Sequence, residues 1–137
     1  MRFIFADTSY WIAILSPRDQ LKAKAEEISQ GLGEHRMVTS EMVLTEILDH
    51  LCDKGQHLRE ATVNIVQRIM SNPNIDVVPQ ASVRFHEALH HYRGRPDKKW
   101  SLTDCSSFLI MQERGIEEAL TSDHDFEQAG YRALLMD

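Results

Sequence analysis

Short apolar runs alternate with amphipathic stretches along the whole of this chain. RFIFA opens it as a β-type run that stops at Asp7, and TSYWIAIL continues with helical character. Pro17 marks the opening of a second helix that runs to about Gln30, with Ala23, Ala25 and Ile28 as its apolar positions, and Gly31 and Gly33 end it. RMVTS reads as another strand. Ser40 then sits as an N-cap before a helix with Val43, Leu44, Ile47, Leu48 and Leu51 on one face. Leu58, Ala61, Ile65 and Ile69 keep helical spacing up to Asn72-Pro73, and IDVVP is a third strand. A helix over about Ala81–Tyr92, a basic loop and a helix over Ser101–Arg114 follow. EALTS supplies a fourth strand, DHDFEQAG a short helical turn and YRALL a fifth strand. Strands that alternate with helices predict parallel β-α units, and so a three-layer α/β/α sandwich around a parallel, mainly five-stranded sheet.

The length of 137 residues is that of one compact domain spanning residues 1–137 with its own core. The two cysteines, Cys52 and Cys105, form no CxxC pair and lie in hydrophobic, helix-like stretches. They read as buried thiols in a reducing compartment, which predicts a cytoplasmic protein. No apolar run is long enough to span a bilayer, so no membrane role is expected. A net charge of −6 argues against binding nucleic acid by bulk attraction, but not against an acidic surplus gathered at a cation site.

The acids fall in such places. In a parallel sheet, the carboxyl ends of the strands and the amino ends of the following helices share one edge, where ligands bind. Asp7 ends the first strand. Glu46 lies in the second turn of the helix after the second strand, Asp104 in the first turn after the basic loop, and Asp123 ends the fourth strand with Asp125 close behind. Each has a plain reading by itself. Asp7 could cap its helix, Glu46 could be a solvated flank, Ser101 with Asp104 has the spacing of a capping box, and Asp123 and Asp125 suit a positive helix end. Together they repel one another, and some would stay protonated unless a cation joined them. Oxygen donors without a matching His or Cys pattern select a hard ion, Mg²⁺ with Mn²⁺ as substitute. His124 reads as a solvent-facing turn residue, and the His90-His91 pair has no partner spacing.

A carboxylate-held Mg²⁺ suits phosphodiester hydrolysis, because it activates a water and neutralises charge on the scissile phosphate. RGRPDKKW, just before Asp104, carries Arg93, Arg95, Lys98 and Lys99 against a single Asp97, and these four cations are the candidate contacts to the substrate's phosphates. Trp100 reads as a core residue. Thr8, Ser9 and Thr121 could orient acids, water or phosphate at the same edge, or serve as helix caps.

The motifs ADTSYWIAIL, VTSEMVLTEIL, DKKWSLTDCSSF with a Met three residues on, and ALTSDHDFEQAG resemble those of PIN-domain ribonucleases, particularly VapC-type toxins of toxin–antitoxin pairs. The resemblance covers essentially the whole chain. It implies that the family's catalytic and metal-binding quartet falls on Asp7, Glu46, Asp104 and Asp123, with Asp125 as a further candidate ligand. It also implies a Mg²⁺-dependent endoribonuclease acting on single-stranded RNA, a homodimer, and inhibition by a small antitoxin protein. Lys22 stands where many relatives carry His.

Other acid-edge proteins fit less well. A receiver domain needs a phosphorylatable Asp after the third strand and a Lys after the fifth, where this chain has VVPQ and LLMD. A haloacid-dehalogenase phosphatase needs a second Asp where Ser9 stands. A DNA-directed nuclease and a non-catalytic binding module on the same fold are the remaining alternatives. Only the ribose 2′-OH separates RNA from DNA as substrate.

Overall fold

The computed structural model describes residues 1–137. Five strands form one parallel sheet: β1 (Arg2–Ala6), β2 (His35–Ser40), β3 (Ile75–Val78), β4 (Glu118–Leu120) and β5 (Arg132–Ala133). Their order across the sheet is β3-β2-β1-β4-β5. Seven helices connect and flank them: α1 (Thr8–Leu15), α2 (Lys22–Gln30), α3 (Glu41–Leu51), α4 (Gln56–Ser71), α5 (Ser82–Gly94), α6 (Leu102–Arg114) and α7 (His124–Gln128). Right-handed crossovers between parallel strands then fix the layers. The steps β1 to β2 to β3 go one way across the sheet, and the chain then crosses to β4 and β5 on the other side of β1. That puts α1–α4 on one face and α5–α7 on the other; within the faces α1 touches α2 and α3, α3 touches α4, α5 touches α6 and α6 touches α7, and between the faces α3 touches α6. The three-layer α/β/α sandwich expected from the alternation is the observed architecture.

The central strands are apolar because both faces are covered. Ile4, Phe5, Ala6, Val38, Ala119 and Leu120 are buried, and Phe5 packs against Phe126 of α7. On that side Phe108 meets the edges of both Trp100 and Phe126, at centroid distances of 5.0 and 4.9 Å. The registers keep the strand ends level. Phe5 pairs with Val38 and Ala6 with Leu120, so Asp7, Ser40 and Thr121 stand level at the carboxyl edge. The Thr39 hydroxyl donates to the Ala6 carbonyl from a fully buried position, tying β2 to β1 just below that edge.

Several local expectations need correction. Pro17 does not open the second helix, which begins at Lys22. The Asp19 carboxylate accepts the Leu21 amide at 2.8 Å and the Asp19 carbonyl accepts the Lys22 amide, so residues 17–21 form turns. Helix α5 runs on to Gly94, which puts Arg93 in its last turn. The fifth strand is only Arg132–Ala133. The chain then curls into a 3₁₀ turn, Leu134–Met136, that buries Leu134 and Leu135 and brings the Leu135 amide onto the Thr121 carbonyl at 3.1 Å. Cys105 is buried as expected, but Cys52 is exposed. Helix α3 stops at Leu51, and Cys52 falls on the turn beyond it, where its carbonyl accepts from the Arg59 guanidinium.

Ser40 caps α3 as its position implies, accepting the Val43 amide at 3.1 Å while almost fully buried. Ser40→Ala should therefore destabilise the protein by roughly 1–2 kcal/mol, read as a lower urea midpoint with an unchanged m-value.

Candidate metal centre

Four segments carry carboxylates to the carboxyl edge of the sheet. Asp7 follows β1 directly, and its amide donates to the Leu120 carbonyl of the neighbouring strand at 3.1 Å. It stands at the N-cap position of α1, yet its side chain makes no capping bond there, and it is only 4 % exposed. Capping is therefore not what Asp7 does. Its carboxylate instead accepts from the fully buried Thr121 hydroxyl at 2.9 Å.

Thr121 is the hub of this corner. Its oxygen also accepts the Asp123 amide at 3.0 Å and lies 3.2 Å from the Ser9 hydroxyl. Ser9 in turn accepts the Ser122 amide at 3.0 Å. A second hydroxyl, that of Thr8, donates to Glu46 Oε1 at 2.5 Å and joins the start of α1 to the second turn of α3. All three hydroxyls singled out in the sequence thus hold acids or the backbone beside them.

Asp104 has both of its readings at once. Its amide donates to Ser101 Oγ at 3.0 Å, and its Oδ2 accepts the Ser101 amide at 3.1 Å, which completes a capping box. It is nevertheless buried, on a helix whose Cys105, Phe108 and Met111 are all in the core. Asp123 caps α7 through the Asp125 amide at 2.9 Å. One ligand oxygen from each of Asp104, Asp123 and Asp125 lies within 4.8 Å of the others. Asp7 and Glu46 flank this trio closely enough that their charges act on it.

The electrostatics follow from burial and crowding. Burial pushes the Asp7 carboxyl up to about 7, helped by the charges of Glu46 and Asp123, against the Thr8 amide and Thr121 hydroxyl that favour its anion. Asp104 also rises to about 7, first by burial and then by the charges of Asp123, Asp7 and Asp125. Asp123 is raised by burial and by the charges of Asp125 and Glu46. The ion pairs of the chain all lie elsewhere. Arg2, for example, forks onto Glu118 at the opposite, amino edge of the sheet. An all-oxygen donor set, buried at Asp7 and Asp104 and half-buried at Glu46, Asp123 and Asp125, without a protein cation fits a hard divalent ion. His124 is 66 % exposed and paired with Glu127, in keeping with its turn position.

The basic loop is less uniform than its sequence. Arg95 forks onto Asp97 at 3.1 and 3.0 Å and lies over the Trp100 ring at 4.9 Å. Trp100 is a buried core residue, its indole N–H reaching Gln128 at 3.3 Å. Arg93, Lys98 and Lys99 remain unpaired around an open hollow of about 450 Å³.

The PIN domain family matches this chain over residues 4–130, and the chain belongs to that family. The class is that of metal-dependent nucleases, and within it the chain is VapC-like. It is 26 % identical over 132 residues to the 23S rRNA-specific endonuclease VapC20 of Mycobacterium tuberculosis, in strains CDC 1551 and H37Rv alike, covering 93 % of this chain and 95 % of that one. The crystal structure of M. tuberculosis VapC20, a sarcin-ricin loop cleaving toxin, superposes with a TM-score of 0.82 over 93 % of this chain and 95 % of that chain. FitAcB from Neisseria gonorrhoeae shares the fold at 14 % identity, with a TM-score of 0.58 over 95 % of this chain and 94 % of that chain.

The raised carboxyls set a sign for pH dependence. A carboxyl whose folded pKa lies above its unfolded value of 3.8 stabilises the fold fully below that value, and the stabilisation is lost as pH rises through about 7. In EDTA the melting temperature should therefore fall as pH is raised from about 5 to about 8. A divalent ion should restore it more at the upper end, because the ion competes with protons for the same oxygens.

Proposed function

We propose that the protein is an endoribonuclease that hydrolyses phosphodiester bonds in single-stranded RNA with Mg²⁺, or Mn²⁺ in its place. The observation that carries this reading is the gathering of Asp7, Glu46, Asp104 and Asp123 at one sheet edge, with Asp125 beside Asp104 and Asp123. Asp7, Asp104 and Asp123 are the metal-binding acids of this reading, Glu46 completes the quartet, and Asp125 is a fifth donor.

When bound, the ion supplies an activated water and offsets the charge that grows on the scissile phosphate. The chain's own residues prepare the place. The Thr121 hydroxyl keeps Asp7 aimed while holding the Asp123 amide, so two acids from different strands share one support. Thr8 fixes Glu46 across the α1–α3 seam. Ser101 donates its amide to one oxygen of Asp104 and so fixes the carboxylate plane. Arg93, Lys98 and Lys99 offer phosphate contacts beside the acids, whereas Arg95 is engaged by Asp97 and serves the loop's shape.

VapC20 acts on 23S rRNA, which supports RNA as the substrate class here. The same kinship supports a toxin working in the cytoplasm as a homodimer and restrained by a small antitoxin protein. No helix is long and apolar enough to cross a membrane.

Purified protein should cleave single-stranded RNA with Mg²⁺ or Mn²⁺ and stop in EDTA. Persistence of cleavage after exhaustive metal removal would overturn the metal mechanism, and preference for DNA would overturn the substrate.

Asp104→Asn keeps the side chain's size and its cap while removing one charge from a crowded set. The metal-free variant should melt no lower than the wild type, gain less from added Mg²⁺, and cleave more slowly by on the order of 100-fold. Wild-type rates in this variant would reduce Asp104 to a cap.

Replacing Arg93, Lys98 and Lys99 by Ala should lower the salt dependence of RNA binding by about 0.7 in logarithmic slope for each phosphate left without its cation. An unchanged slope would make the loop a solvated surface.

A further inference from the structure

A second cationic hollow opens on the other side of the acids. It lies between the turns that follow α1 and the turn that joins α3 to α4, with a volume of about 450 Å³, in the range of about 300–1,000 Å³ usual for ligand sites. Ile12 and the buried Leu51 contribute its apolar lining, and Arg18, His50, Lys54 and His57 its polar one. Arg18, His50 and His57 have no carboxylate partner, and Lys54 has only the exposed Asp53 at 3.9 Å. Asp19, the single acid in the lining, already accepts the Leu21 amide.

This hollow continues the acid edge. Helices α1 and α3 both start at the carboxyl edge, run back over the same face and touch one another. Thr8 and Glu46 form one rung of that seam. Ile12 and His50, each four residues further on and about 6 Å along the helix axes, line the hollow. The hollow's two fixed cations, Arg18 and Lys54, outnumber its one acid, Asp19.

We propose that the hollow is a second nucleotide subsite, in which Arg18 and Lys54 hold an RNA phosphate flanking the scissile one and the Ile12–Leu51 surface receives the adjoining base. The subsite rests on the ribonuclease reading. With the 93–99 segment, it gives the RNA a cationic grip on either side of the acids, which carry no cation of their own. His50 and His57 add planar surfaces on which a base can stack.

The test is steady-state cleavage by wild type and by Arg18→Ala/Lys54→Ala of RNAs about 4 and about 12 nucleotides long, over a range of salt. The double variant should raise KM for the longer RNA about tenfold with a smaller change in kcat, and should lower the logarithmic salt slope of kcat/KM by about 1.4, the value for two phosphates left without their cations. The shorter RNA should be cleaved alike by both proteins. Arg18→Lys/Lys54→Arg, which keeps both charges, should recover the wild-type KM and guards against a folding defect in the double variant. Equal KM and slope on the longer RNA would overturn the subsite alone, as would equal losses on both lengths. A wild type that cleaves neither RNA would overturn the ribonuclease reading, and the subsite with it.

Discussion

Like charges in a poor solvent are the constraint around which this protein is arranged. Burial first, and then the charges of the neighbouring acids, push Asp7 and Asp104 up to about 7. An ordinary core would remove such groups or give each one an arginine. Here the arginine sits at the other end of the sheet, on Glu118, and the acids are left with hydroxyls and amides. Those neutral donors orient a carboxylate without cancelling its charge, so the negative potential survives for a cation from outside.

The parallel sheet makes that arrangement possible with little chain. Every strand delivers its last residue to the same edge, and every following helix begins there. A single register, Ala6 beside Leu120, brings Asp7 next to Thr121 although 114 positions separate them. The hydroxyl of Thr121 then serves two strands at once. Asp104 shows the same double use, since its carboxyl closes a capping box and meets Asp123 and Asp125 from one position. Helix capping and metal chemistry ask for the same geometry here, namely an anion at the amino end of a helix.

Much of this is legible in the sequence, for identifiable reasons. The alternation of apolar runs and amphipathic stretches carries the fold, because buried parallel strands and one-sided helices have different periods. The acids are legible because topology alone assigns strand ends and helix starts to one edge. What the sequence hides is local. Pro17 has the look of a helix start, but Asp19 builds a turn instead, and Cys52 has the spacing of a buried residue because helical spacing does not announce where a helix stops. Arg95 counts as a free cation until its fork onto Asp97 is seen. Arg18 and Lys54 carry no signal at all, since residues 36 positions apart meet only through the packing of α1 on α3.

The shortness of the outer strands bears on how copies of the chain can associate. β5 has two residues before the backbone curls away, and β3 has four, closely bracketed by Pro73 and Pro79, which have no N–H to offer. Asp76 adds a charge in the middle of β3. Neither border presents a rail of free amides and carbonyls long enough to seed another strand, the usual route by which open sheets fuse or form fibrils. Side chains on the helices must therefore do the recognising whenever two molecules meet. Helix α5, with Phe85, Leu89 and Tyr92 at helical spacing and open to water, offers more apolar surface for that than any border of the sheet.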